Sequence, residues 1–239
     1  MSFTEKLMRD RETQIMAISI VFFVLAFPLY FGLAAAGADG SAGLNEVNTY
    51  EVTGEVTYIE IAAGDEFIAD GETLSIDNLH TDSIDNADDM NIIGVRLTMT
   101  YTEAEDTNGG AGCAGPQGGQ PAADTISGTT MHGEYNATAS GSNNGNSGSH
   151  TVEVYWISNA SLLDEDTVTM SKSDIIAEID AGGLGLGAYM AEISVDAEAG
   201  NTPPPGLCQR SDAGEDVAYI VEIIVFDYDI RPYVDLEEL

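Results

Sequence analysis

Carboxylates are the side chains best placed for chemistry in this sequence. They gather in "DSIDNADD" (Asp82, Asp85, Asp88, Asp89), "EAED" (Glu103, Glu105, Asp106) and "DED" (Asp164, Glu165, Asp166). Ca²⁺ takes about six to eight hard oxygen ligands, which acid-rich loops between strands can supply. The stretch with Asp82, Asp85, Asp88 and Asp89 is the first place to expect such a site. The competing reading is a solvated acidic surface, since a chain with 41 Asp and Glu residues forms such runs by composition alone. No EF-hand loop is present, and no other cofactor is expected. His80, His132 and His150 follow no metal-ligand spacing, and neither Cys113 nor Cys208 has the closely following His and Met of a copper site. Asn136 in "NAT" and Asn159 in "NAS" are acceptor triplets for N-glycosylation, although Asn-rich sequence also produces them by chance. There is no Gly-x-Ser-x-Gly, no phosphate-binding loop and no pair of histidines on a helix. The expectation is a protein that is not an enzyme.

Charge placement narrows the partners. The 239 residues carry 7 Lys and Arg against 41 Asp and Glu, a formal net charge of −34. Such a surface repels nucleic-acid phosphates and anionic headgroups, so no nucleic-acid partner is expected. The first 14 residues balance Lys6, Arg9 and Arg11 against Glu5, Asp10 and Glu12. Then comes "IMAISIVFFVLAFPLYFGLAAA", Ile15 to Ala36, without a charge. As a helix it is about 33 Å long, enough for a bilayer core of about 30 Å. Basic residues precede the run and none follows until Arg96, which predicts a cytoplasmic N-terminus and an external acidic remainder. The expected organisation is a cytoplasmic N-terminus over 1–14, a transmembrane anchor over 15–36, a flexible linker over 37–48 and an extracytoplasmic β domain over 49–239. Cleavage near "AAAGA" is the alternative to a retained anchor, but the apolar run exceeds an ordinary signal peptide.

Alternation predicts what positions these groups. "NIIGVRLTMTYT" (91–102) places Ile93, Val95, Leu97, Met99 and Tyr101 on one face. "TVEVYWI" (151–157) and "GAYMAEISVDAE" (187–198) alternate too, and "VAYIVEIIVFDYDI" (217–230) is apolar on both faces, as a central strand is. "TYEVTGEVTYIEIA" (49–62) opens the series. "TISGTTMHGEYNATA" (125–139) is a weaker strand, expected to face 151–157 across a Gly-rich tip. One short helix is expected in "SKSDIIAEIDAGG", capped by Ser171 or Ser173 and ended by Gly182 and Gly183. Six or more strands without a βαβ rhythm predict an all-β, antiparallel sandwich.

Trp156 on the third strand and the Gly-x-Tyr start of "GAYMAEISV" resemble immunoglobulin-like domains. That resemblance implies strands A (51–62), B (91–102), C (151–157), F (187–197) and G (217–228). It also implies that the loops after B and F emerge at one end, bringing Cys113 and Cys208 together. Outside the cytoplasm two such cysteines are expected as a disulfide. The acidity, with two lysines in the chain, resembles proteins of salt-adapted archaea. The chain thus reads as a single-pass cell-membrane protein that contacts lipid through residues 15–36 and displays an extracellular structural or adhesion domain. Other envelope or membrane-complex proteins are its expected partners. The alternative is a pilin-like subunit of an archaeal filament, which shares the apolar helix and β-sandwich layout. Such subunits are cleaved after a charged residue followed by Gly or Ala, a pair that "RDRETQIMA" lacks.

Overall fold

Alternating apolar side chains build two antiparallel sheets. The computed structural model describes residues 47–102, 106–108, 122–142, 148–163, 167–200 and 209–233. The strands are β1 (Val47–Ala69), β2 (Thr73–His80), β3 (Ile92–Thr102), β4 (Asp106–Asn108), β5 (Thr125–His132), β6 (Tyr135–Ser142), β7 (Gly148–Tyr155), β8 (Thr167–Ser171), β9 (Ala188–Asp196), β10 (Gln209–Ser211) and β11 (Gly214–Pro232). A single α-helix, α1 (Lys172–Ile179), follows β8 among the described residues. One sheet has the order β7-β3-β11-β1-β8, the other β2-β9-β5-β6, and β4 pairs with β10 separately.

The chain divides into two compact units. The smaller one includes the start of β1, strand β8 and the first half of α1. There Ser171 caps the helix: its Oγ accepts the Asp174 N–H at 3.1 Å and donates to Asp174 Oδ2 at 2.6 Å. This is the expected cap, and Gly182 (φ 56°) and Gly183 (φ 83°) follow the helix in the left-handed region.

The larger unit holds the core. Cross-strand register lines up Val154, Val95 and Ile223, and next to them Val152, Leu97 and Val221. All six are buried. Ile126 on β5 and Ala191, Ile193 and Val195 on β9 supply the opposing face. Gly128 on β5 lets the sheets approach, because a Cβ there would strike the Met99 and Leu97 side chains. Truncating a buried side chain such as Leu97 to Ala costs about 2–5 kcal/mol through lost burial and a residual cavity.

Several expectations change. The segment 125–139 forms the hairpin β5–β6, turning at Gly133 (φ 58°). Its second half therefore pairs with β5, while β7 pairs with β3. Strands β2 and β8 were unexpected. β1 runs beyond residue 62 to Ala69, and within this extension the missing Cβ of Gly64 leaves room for the Tyr219 ring. The strand order also departs from the immunoglobulin pattern, in which C, F and G share a sheet. Here β11 lies between β3 and β1, whereas β9 lies in the other sheet between β2 and β5. The apolar run 15–36, both cysteines and the clusters Glu103/Glu105 and Asp164/Glu165/Asp166 lie outside the described residues. Among the described residues no helix is long and apolar enough to cross a membrane.

Candidate functional site

Convergence, rather than local sequence density, marks the carboxylates with the strongest chemical potential. Asp124 immediately precedes β5, and Asp212 and Glu215 flank the turn between β10 and β11. One ligand oxygen from each lies within 4.8 Å of the others, the single such group among the described residues. Asp124 and Glu215 are fully buried. Asp124 Oδ1 accepts the Glu198 N–H at 2.7 Å, and Asp212 Oδ1 accepts the Gly214 N–H at 3.1 Å. Gly214 sits at φ 132°, and a Cβ there would strike the backbone of Ile68 and Ala69. The turn that joins Asp212 to Glu215 therefore requires glycine. Burial, followed by the charges of Asp124 and Glu215, pushes the nearby Tyr101 phenol above its ordinary pKa. Three carboxylates form a hard-oxygen donor set of the kind that Ca²⁺ or Mg²⁺ accepts, short of a complete Ca²⁺ shell. Sequence spacing offered no signal for the group, since Asp124 lies far along the chain from the turn that carries Asp212 and Glu215.

The loop flagged by sequence behaves differently. Asp82 falls in a 3₁₀ turn at Thr81–Ser83, and Asp88 and Asp89 fall in another at Ala87–Asp89. All four of Asp82, Asp85, Asp88 and Asp89 are exposed. Their carboxylates are absent from the convergent group. Instead three of the four divide between two grooves. Asp82 and Asp88 line one of about 520 Å³ together with His80, Ile84 and Leu186. Asp89 lines another of about 400 Å³ together with Glu55, Asp227, Phe226 and Tyr228. His80 Nδ1 accepts the Asp82 N–H at 3.1 Å.

The remaining candidates are structural or superficial. His132 is buried with Nδ1 2.9 Å from the Ala188 carbonyl and Nε2 2.6 Å from that of Leu184. Its ring stacks on Tyr189 at 4.2 Å and lies 4.8 Å from Trp156. Trp156, just past β7, is buried and donates its indole N–H to the Ile92 carbonyl at 2.6 Å. His150 packs edge-on against Tyr101 at 5.7 Å, in space that Gly141 leaves open. Burial pushes the His150 pKa below its ordinary value, and the Ala139 backbone offsets part of this. Asn136 is exposed on β6. Asn159 is half-buried, and its Oδ1 accepts the Ser161 hydroxyl at 2.6 Å.

Arg96 forms the outer-face charge network of the larger sheet. Its Nη2 lies 2.6 Å from Glu222 Oε2, and its Nη1 lies 4.0 Å from Glu153 Oε1. The guanidinium carbon sits 3.4 Å from the centre of the Tyr58 ring. Charge and stacking act on one group, a geometry that suits arginine better than lysine. No protein-family model matches this chain, and no curated protein matches it.

Proposed function

We propose that this chain is a single-pass membrane-anchored surface protein whose acidic β-sandwich serves a structural or binding role outside the cell. The observation that carries the reading is the sequence of parts: a 22-residue uncharged apolar run, a short linker, and a strongly acidic sandwich whose first strand begins at Val47. The run suits a bilayer anchor, and the flanking charges favour a cytoplasmic N-terminus. The anchor leaves the domain its reach and orientation, while the charge keeps neighbouring copies from aggregating.

A Cys113–Cys208 disulfide belongs to the same proposal. Strands β4 and β10 pair with Asn108 opposite Gln209. Cys208 is the residue before Gln209, and Cys113 follows Asn108 by a short stretch of chain. That stretch reaches about 16–18 Å when extended, ample for the Cα separation of about 4.4–6.8 Å that a disulfide needs. The register of this short ladder leaves the pairing within reach of the chain. Adaptation to high salt is also part of the reading, since molar salt shortens the Debye length to about 3 Å and relieves self-repulsion.

Limited proteolysis of sealed cells tests the topology. Protease added outside should remove epitopes in the β domain while leaving residues 1–14 intact until the membrane is permeabilised. Protection of the β domain in intact cells would refute the proposal.

A further inference from the structure

The loop 182–187, between α1 and β9, is held by its backbone more than by its side chains. Leu184 is 53% exposed and Leu186 37% exposed. Gly185 lies so close to Ile92 that a Cβ there would strike both its backbone and its side chain. The Leu184 N–H donates to the Ala181 carbonyl at 3.0 Å, and the Leu186 N–H to that of Gly183 at 3.1 Å. Thr81 closes the far end: its N–H donates to the Gly187 carbonyl at 3.1 Å, and its Oγ1 accepts the Gly187 N–H at 2.9 Å.

Two rings supply the inner tethers. Tyr189 donates its hydroxyl to the Gly185 carbonyl. His132, at the end of β5, has Nε2 2.6 Å from the Leu184 carbonyl and Nδ1 2.9 Å from the Ala188 carbonyl. A carbonyl oxygen can only accept. A neutral imidazole has one N–H, so it satisfies one of these carbonyls and turns a lone pair on the other; only the imidazolium donates to both. The surroundings suit a cation. The ring stacks on Tyr189 at 4.2 Å and 22°, and lies 4.8 Å from the Trp156 ring, and aromatic faces attract positive charge. Burial raises the Tyr189 phenol above its ordinary pKa, so it faces His132 uncharged. On β6, Tyr135 pairs with His132 across the hairpin turn, and Glu134 in that turn is exposed. At the loop's two ends, Asp180 Oδ1 accepts the Gly182 N–H at 2.7 Å, and His80 and Asp82 flank Thr81. Among the described residues no carboxylate forms an ion pair with His132. The net charge of −34 favours a bound proton throughout the molecule.

We propose that His132 is held as an imidazolium and acts as a proton-operated latch on the loop 182–187. Charged, the ring bridges the Leu184 and Ala188 carbonyls and pins the loop to β9. When the proton leaves to solvent, one ring nitrogen turns a lone pair on a carbonyl, and a tether becomes a repulsion. The loop then loosens with its two exposed leucines. The latch is closed at the lower pH and opens as pH rises through the His132 titration. It does not depend on the anchored-surface reading.

The test records imidazole ¹H–¹⁵N spectra of the full chain, in nanodiscs, with ¹⁵N-labelled histidine. The chain has three histidines, so the variants H80Q and H150Q assign the His132 signals by elimination, and no variant of His132 itself is needed. At about pH 7.5, where a free histidine with a pKa of about 6.5 is mostly neutral, both His132 nitrogens should carry protons. Raising the pH should titrate the ring in one step. Across that step the hydrogen-exchange protection factors of the Leu184, Leu186 and Gly187 amides should fall about tenfold or more. H80Q should retain this fall, which separates the His132 latch from the histidine beside Thr81. A proton-free nitrogen on His132 at about pH 7.5 would overturn the charge assignment. Protection that stays level across the step, or a fall abolished by H80Q, would overturn the latch.

Discussion

The acidic loop at 82–89 and the carboxylates Asp124, Asp212 and Glu215 are opposite solutions to the same composition. The loop concentrates its charges in sequence and disperses them in space: all four acidic residues are exposed, and three of them, Asp82, Asp88 and Asp89, are divided between two grooves. The other three residues come from two distant segments, Asp124 before β5 and Asp212 and Glu215 at the β10–β11 turn, and converge in space, with two fully buried. Solvent screens the first group, so its individual charges matter little. Burial magnifies the interactions of the second. Charge density along a chain therefore reports solvation, whereas topology decides where charge has structural consequences.

The largest expected effect comes from breaking the convergent group's frame. Gly214→Val puts a branched side chain at φ 132° and drives a Cβ into the backbone of Ile68 and Ala69. A loss of about 3 kcal/mol or more is expected in urea unfolding. Wild-type stability would show that this turn does not impose the geometry described.

Arg96→Met should fall next. It leaves Glu222 and Glu153, with side chains 18% and 32% exposed, without their guanidinium partner. The expected loss is about 1–2 kcal/mol after allowance for solvent screening. The variant R96M/E222Q should recover part of it, a coupling that a double-mutant cycle reads directly.

His150 adds a pH-dependent difference. Its folded-state pKa is lowered, chiefly by burial. The unfolded chain then binds the proton more readily, so this contribution is present above about pH 6.5 and is lost as pH falls through the window below it. His150→Gln should flatten that part of the stability profile. An unchanged acid limb would assign the dependence to other groups.

The smallest effect belongs to the loop. D82N/D85N/D88N should change unfolding free energy by no more than about 0.5 kcal/mol, because these side chains are exposed. A large loss would mean that the loop, too, binds its charges into structure.

Legibility in the sequence followed locality. The strong alternations of β3, β7 and β9 announced those strands, and Ser171, Asp174 and the two glycines marked α1. The β5–β6 hairpin was obscured because its turn is short and its second strand is rich in Ala, Ser and Gly, with neither face buried. β2 was obscured by its polar tail, where Asn78 adopts φ 64° and the pairing with β9 shifts register. Sheet order was illegible for a different reason: β11 reaches across the chain to pair with β3, a non-local choice that periodicity does not encode. The same physics hid Asp124, Asp212 and Glu215.

The most direct test of the anchored, oxidised surface-domain account is peptide mass spectrometry of the native membrane protein without reduction. The account predicts an intact N-terminal peptide preceding Ile15 in the same molecules that yield a cross-linked Cys113–Cys208 peptide. A mature N-terminus near residue 37, or near residue 13 as in a filament subunit, would contradict the anchor described here. Free thiols at both cysteines would contradict the disulfide.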